Sequence, residues 1–280
     1  MTISIVGLGL IGGSLALDLR ANGFATRLIG VDENPEHTRI ALDYGLVDEV
    51  RSLAGACMAA DIVVLAVPVG AIRSLLPLVL DSLSEKGVVT DMGSTKGLIA
   101  REAAGHARRK RLVLAHPMAG TEYSGPKAAV SQLFQGKAAI ICDAEHSDPE
   151  AVQKVERMFK SLFMRILHMN ATEHDLHVAY VSHISHISSF ALALTVLEKE
   201  KSESNIFNLA SGGFASTVRL AKSSPRMWRD VFEQNTPHVL DVLDSYIEQI
   251  QRFRTLIAEG AYEETYALMQ EANDIGRILK

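Results

Sequence analysis

In the first half of the chain, short β-rich apolar runs alternate with helix-compatible segments, the order expected of βαβ units. Thr2–Val6 reads as a strand, 11–22 as a helix, 27–32 as a strand and 35–44 as a helix. The run 61–67 is continuously apolar, as expected of a strand buried on both faces. Val88–Asp91, 112–115 and Ala138–Cys142 follow as strands, with a last one at 164–168. Together they predict a Rossmann-type, doubly wound α/β sheet over 1–170.

From Thr172 onward the pattern changes to long amphipathic stretches with no good strand, so 171–280 is expected to be an all-helical second domain. Ser224-Pro225 and Thr236-Pro237 read as helix starts, and Gly260 as a helix stop. Between them Val239, Leu243, Tyr246, Ile250, Phe253 and Ile257 recur at alternating spacings of four and three. Such a seam is expected to bury itself against a helix of this chain or of a second subunit.

Composition narrows the function classes. A chain of 280 residues has room for about two domains. Its 48% hydrophobic and 22% charged content is ordinary globular usage. The net charge of −5 argues against general affinity for nucleic acid or an anionic membrane. Cys57 and Cys142 are too few for a disulfide framework and read as buried reduced thiols. The apolar stretch 3–17 lacks a basic flank, its first cation being Arg20, and four glycines interrupt it. No other stretch reads as the roughly 18 apolar residues of a membrane span, so a cytoplasmic protein is expected.

Candidate chemistry collects where the predicted strands end. Gly7-Leu8-Gly9-Leu10-Ile11-Gly12 follows one strand and opens a helix, and Asp32 closes the next strand twenty residues after Gly12. Gly7 makes the tight turn, Gly9 admits a pyrophosphate against the backbone, and Gly12 lets helix and sheet pack closely. The helix N-terminus adds free amides and a positive dipole. Asp32 suits adenosine ribose hydroxyls and repels a 2′-phosphate, and Arg39 lies too far along the next helix to clamp one, so NAD is expected over NADP. Leu10, Ile11, Val67 and Pro68 complete the expected cofactor contacts.

The strand ends also carry Ser94 and His116. Pro117 disfavours helical backbone at His116, which places the imidazole on an extended segment leaving the sheet. A neutral imidazole suits removal of a hydroxyl proton as hydride leaves the same carbon, with Ser94 orienting the hydroxyl or the ring. The helical half adds His174-Asp175, His177, His183, His186, Arg219 and Trp228. At 100° per residue His174 and His183 fall on opposite faces, which speaks against a metal centre. His183 and His186 share a face and can point into one cleft, and the Arg219 fork suits a carboxylate.

These residues together resemble the prephenate/arogenate dehydrogenase family of tyrosine biosynthesis over nearly the whole chain. The resemblance is carried by the opening Gly-Leu-Gly-Leu-Ile-Gly-Gly-Ser, by Asp91-Met-Gly-Ser-Thr-Lys96 and by His116-Pro-Met-Ala-Gly-Thr-Glu122. It continues through His174-Asp, Ser182-His-Ile-Ser-His186, and Arg219-Leu-Ala followed by Met227-Trp228. It implies a helical dimerisation domain, a homodimer, and NAD-dependent oxidative decarboxylation of prephenate to 4-hydroxyphenylpyruvate. It makes His116 the acceptor of the ring-hydroxyl proton, and Ser94 the group that orients it. It gives Arg219 a substrate carboxylate, His186 a substrate contact, and Glu122 and Trp228 a place lining or gating the pocket, with His183 a weaker candidate. His186 favours prephenate, since some arogenate-type members lose that histidine. One departure stands out: Ala215-Ser216 occupies the place of a charged pair found in many relatives, so any ionic network from that pair to Glu122 is broken. Arogenate dehydrogenase is the alternative reading. A β-hydroxyacid dehydrogenase-like enzyme or a non-catalytic NAD-sensing module is more distant.

Overall fold

The computed structural model describes residues 1–203 and 205–278. They form two compact units, Met1–Asn235 and Thr236–Lys280. The first is built on an eight-stranded sheet in the order β3-β2-β1-β4-β5-β6-β7-β8. Its strands are β1 (Thr2–Val6), β2 (Arg27–Val31), β3 (Glu49–Val50), β4 (Ile62–Leu65), β5 (Val88–Asp91), β6 (Leu112–Pro117), β7 (Ala138–Cys142) and β8 (Arg165–Met169). The order reverses direction between β1 and β4, which opens a crevice at their carboxyl ends, where such sheets bind ligands.

Alternation along each strand sends side chains to two cores. Ile62 and Val64 face one core with Ile3, Ile5, Val113 and Phe159, while Val63 and Leu65 face the other with Val89, Leu112 and Leu114. The first core is covered by α1 (Leu10–Ala21) and α6 (Pro149–Ser161). The second is covered by α3 (Leu53–Ala59), α4 (Val69–Ser82), α5 (Gly97–Ala103) and α10 (Pro225–Gln234). α2 (Pro35–Asp43) follows β2, with Asn34 capping it by accepting from the Glu36 amide.

Two departures from the sequence expectation concern the sheet, and one further grouping concerns the helices. β3 is a two-residue edge strand, too short to leave a periodic signal. β7 runs antiparallel to β6, and its register continues to His116↔Ile140 and Pro117↔Ala139, beyond the two residues at which β5 pairs with β6. His116 therefore lies inside the end of β6 and not on a segment leaving the sheet. The helices from 171 to 235 group with the sheet and not with the C-terminal helices.

That helical stretch comprises α7 (Ala171–Val178), one turn of π-helix over Ala179–His183, α8 (Ile184–Glu200), α9 (Gly212–Thr217) and α10. By length and composition Ala171–Glu200 passes as a possible membrane span, with mean hydropathy 1.3. Ser182, His183, Ser185, His186, Ser188 and Ser189 break up its apolar pattern, which is why the sequence alone showed no such run. Leu194 and Leu197 are exposed on this helix.

The second unit contains α11 (Thr236–Ala258) and α12 (Tyr262–Ala272), joined through Gly260 at φ +68°. The α11 seam is only partly covered in a single chain: Tyr246, Ile250 and Ile257 are exposed.

Candidate active site

The glycine turn is shaped as the spacing requires. Gly7 has φ +96°, and a Cβ on Gly12 would stand 1.9 Å from the Gly7 carbonyl oxygen. Above Gly9 the space is open, with nothing within 4 Å of where a Cβ would be. α1 starts there without a side-chain cap, so its first amides are available to an anion. Asp32 sits beside the turn, accepting from the Leu8 amide at 2.8 Å and the Asn34 amide at 2.9 Å. Arg39 pairs with Asp43 on the outer face of α2 and is engaged there. These features fit a dinucleotide: an open glycine backbone, an uncapped helix start and a carboxylate at the next strand end.

A cavity of about 530 Å³ begins at this turn. Gly9, Leu10 and Ile11 line one side, with Val67 and Pro68 from the loop after β4. Ser94 and His116 reach it from the ends of β5 and β6. Glu122, His186, Arg219 and Trp228 line the remainder, so one chain supplies both the base candidate and Trp228. Gly7, Gly12 and Asp32 shape or flank the site without lining this cavity. A larger open groove of about 1170 Å³ lies by Arg101, Lys110 and Asp148 and holds none of the expected site residues. The Arg109 guanidinium there is taken up by the Leu112 carbonyl and the Ser147 hydroxyl.

Beneath the cavity lies a buried polar chain. His116 Nδ1 is 2.8 Å from His174 Nε2, and His174 Nδ1 is 2.8 Å from Asp175 Oδ1. Asp175 also accepts from the Lys96 and Gly97 amides, both at 2.7 Å. Lys96 Nζ pairs with Asp91, and both side chains are fully buried. Asp91 in turn accepts from the Gly93 amide at 3.0 Å and the Ala115 amide at 3.2 Å. A capping box sets the phase of α7: Asn170 accepts from the Glu173 amide, and Glu173 from the Asn170 amide.

Burial dominates the electrostatics. It pushes His116 well below the ordinary histidine value; the Lys96 charge, and those of His174 and His183 when protonated, add to the effect. His174 is lowered for the same reason, against the pull of Asp175. Burial alone would raise Asp175, but hydrogen bonds from His174 and the Gly97 and Lys96 amides outweigh it and hold the carboxyl low. His183 is brought down to about 4 by burial. Burial also lowers His186, and the nearby Arg219 charge assists.

His183 is placed differently from the expectation. It is buried away from the cavity lining, edge-on to Trp228, and its Nδ1 is 3.2 Å from Asn235 Nδ2, which also donates to the Asp175 carbonyl. The opposite-face argument for His174 and His183 assumed an unbroken α-helix, whereas the π turn between them resets the phase. His186 does reach the cavity, with its ring against Trp228 at 3.7 Å between centroids and 31° between planes. Its Nδ1 faces the Ser182 carbonyl at 3.1 Å.

At the mouth, Arg219 Nη1 lies 3.1 Å from Glu122 Oε2. Glu122 thus bonds the arginine directly, without the intermediate charged pair that Ala215-Ser216 replaces. The sequence reading left His174, Asp175, Asp91 and Lys96 out of the site, although it quoted all four. Asp91 with Lys96 and His174 with Asp175 are visible as acid–base pairs in the sequence, but no local period encodes their burial or their contact with His116.

Comparison with known proteins identifies the family. The model of the prephenate dehydrogenase nucleotide-binding domain matches 15–168, and that of the dimerisation domain matches 170–271. The chain belongs to the prephenate dehydrogenase family. It is 32% identical to a Bacillus subtilis prephenate dehydrogenase, over 98% of this chain and 74% of the relative. The structure of a prephenate dehydrogenase from A. aeolicus in complex with hydroxyphenyl propionate and NAD+ superposes with a TM-score of 0.91 at 34% identity, covering 99% of this chain and 97% of that one. A Synechocystis arogenate dehydrogenase gives a TM-score of 0.79 at 30% identity, with all of both chains covered.

Proposed function

We propose that the chain is an NAD-dependent prephenate dehydrogenase that converts prephenate to 4-hydroxyphenylpyruvate and carbon dioxide. The observation that carries this reading is the His116 imidazole, neutral and lining one cavity with both the glycine turn and Arg219. In this reading 1–170 is the cofactor domain and 171–280 the helical substrate and dimerisation domain.

The glycine turn, Leu10, Ile11, Val67 and Pro68 would hold NAD, with Asp32 at the adenosine ribose. NAD, when bound, supplies the acceptor for the hydride. His116 Nε2 takes the proton of the substrate's ring hydroxyl as that carbon becomes carbonyl-like. Loss of the ring carboxylate as carbon dioxide returns its electron pair to the ring, and the phenolate so formed takes the proton back from His116 to become the phenol. Ser94 orients the hydroxyl, Arg219 holds a substrate carboxylate bidentately, and Trp228 walls the pocket with His186.

Arogenate is the second reading, and His186 favours it on one point. A carbonyl only accepts, so Nδ1–H of neutral His186 donates to Ser182, leaving Nε2 as an acceptor suited to an ammonium group. Relatives at 32% and 34% identity described as prephenate dehydrogenases support prephenate. The exposed Ile250 and Ile257, together with the dimerisation-domain match, support a homodimer.

The test is NADH or NADPH formation by the purified protein with prephenate and with arogenate, each with NAD and with NADP. Activity with prephenate and NAD is the expected outcome. Turnover of arogenate alone would replace the substrate while keeping the chemistry, and inactivity in all four combinations would remove the dehydrogenase reading.

A further inference from the structure

We infer that His174, held by Asp175, is the positioning residue that fixes His116 in the tautomer with its proton on Nδ1 and a bare Nε2 toward the substrate. This rests on the reading of His116 as the proton acceptor.

Asp175 receives two backbone amides, at 2.7 Å each, and its carboxyl is held low, so it only accepts. The His174 Nδ1 at 2.8 Å must therefore carry a proton. Burial keeps His174 neutral, so its Nε2 has a lone pair and no proton. The 2.8 Å contact to His116 is then a hydrogen bond donated by His116 Nδ1–H. Neutral His116 has one ring proton, already committed, and Nε2 is left as the acceptor.

The other tautomer of His116 would set two lone pairs against each other at 2.8 Å and put a proton where the substrate's must go. Asp175 thus does two things at once. It orients His174, and it ties the segment after Ser94 to α7 through the Lys96 and Gly97 amides. When His116 accepts the substrate proton at Nε2, the substrate O–H bond breaks and the Nε2–H bond forms. The Nδ1–H stays in place and is strengthened as a donor to His174.

Several charged or titratable groups face His116: His174 from α7, His183 from the π turn, and Lys96 beside Asp91 and Asp175. Removing the His174 acceptor makes the His116 imidazolium harder to form. The acid limb of kcat/KM should then move to lower pH even though turnover falls.

Two measurements test this together. The first is the nitrogen-15 spectrum of histidine-labelled wild-type holoenzyme, which reports the protonated ring nitrogen of each histidine. The expected result is a protonated Nδ1 and an unprotonated Nε2 on His116; a proton on Nε2 overturns the proposal whether or not any variant folds. The second is the kinetics of His174→Phe and His174→Gln, with NAD affinity and thermal melting checked on the same preparations.

His174→Phe should lower kcat about 10²-fold with substrate KM within about twofold, and shift the acid limb to lower pH. His174→Gln, whose carbonyl can accept from His116, should recover part of that loss. A kcat unchanged in His174→Phe, or equal losses in NAD affinity and kcat with an unmoved acid limb, overturns the proposal. The tautomer is read without substrate, so wild-type inactivity with prephenate would remove the proposed reaction and leave this assignment standing.

Discussion

The floor and the mouth of the cavity are built on opposite principles. On the floor, His116 belongs to a chain of partners running through His174 and Asp175 to the backbone, anchored beside a fully buried Lys96–Asp91 pair. At the mouth, Arg219 keeps 52% of its side chain exposed and pairs with the Glu122 carboxylate. Buried polar groups must be fully partnered or they destabilise the fold, so the floor has one arrangement. An exposed ion pair is worth little and can exchange partners. Under the proposed function, fixed geometry serves proton transfer and exchangeable charge serves substrate capture.

The largest expected effect lies on the floor. His116→Asn should lower kcat by about 10²–10⁴, the scale of a lost general base, with NAD affinity little changed. Near-normal turnover would take His116 out of the reaction and leave the floor a purely structural device. The lowered pKa also positions the pH profile. Free enzyme should hold neutral His116 throughout neutral pH, so kcat/KM should fall only as pH drops well below 6.5. An acid limb centred at or above pH 6.5 would contradict the buried, uncharged floor.

Stability carries the next effect. Folded His183 stays unprotonated down to about 4, against 6.5 for an unperturbed imidazole. Between those values the unfolded chain binds more protons, so stability falls as pH drops through that window. The loss by the acid end is about 3 kcal/mol from this group alone. Thermal melts of wild type and His183→Asn between pH 7 and 4.5 would show it. The wild type should lose stability more steeply than the variant, and parallel curves would place the proton-linked cost elsewhere.

The sequence made one of these regions far more legible than the other. Gly7, Gly9, Gly12 and Asp32 announce themselves because spacing along one βαβ unit is also spacing in the fold. His116 was found for the same reason, as a histidine at a strand end. Its partner was not, because the His116–His174 contact spans 58 residues of sequence and no local period encodes it. The π turn defeated the helical wheel, since the wheel assumes a constant angle that Ala179–His183 does not keep. The antiparallel β7 was hidden too: alternation shows that a strand exists, not which way it runs. At the mouth, Ala215-Ser216 stands where the resemblance leads one to expect a charged pair. The direct Arg219–Glu122 contact that replaces it is a matter of distance between loops.

Arg219→Ala sharpens the comparison at the mouth. Loss of one charge-assisted contact to a substrate carboxylate should weaken binding by roughly 1.5–3 kcal/mol, seen chiefly as a raised KM. A fall in kcat with KM unchanged would mean that Arg219 acts on the transition state, and the division between floor and mouth would no longer hold.

Glu122→Gln is the smallest and most discriminating change. Glu122 accepts from Arg219 at 3.1 Å, and its own backbone amide together with the arginine charge holds its carboxyl low, so the pair is ionic at neutral pH. A substrate carboxylate must compete with it for the same guanidinium. Neutralising Glu122 removes the competitor without removing the arginine, and KM should fall by about twofold to fivefold, the range of an exposed ion pair, with kcat unchanged. The gain should shrink as salt rises, because screening already weakens the wild-type pair. A raised KM would mean instead that Glu122 holds Arg219 in its binding pose, making the mouth as preorganised as the floor.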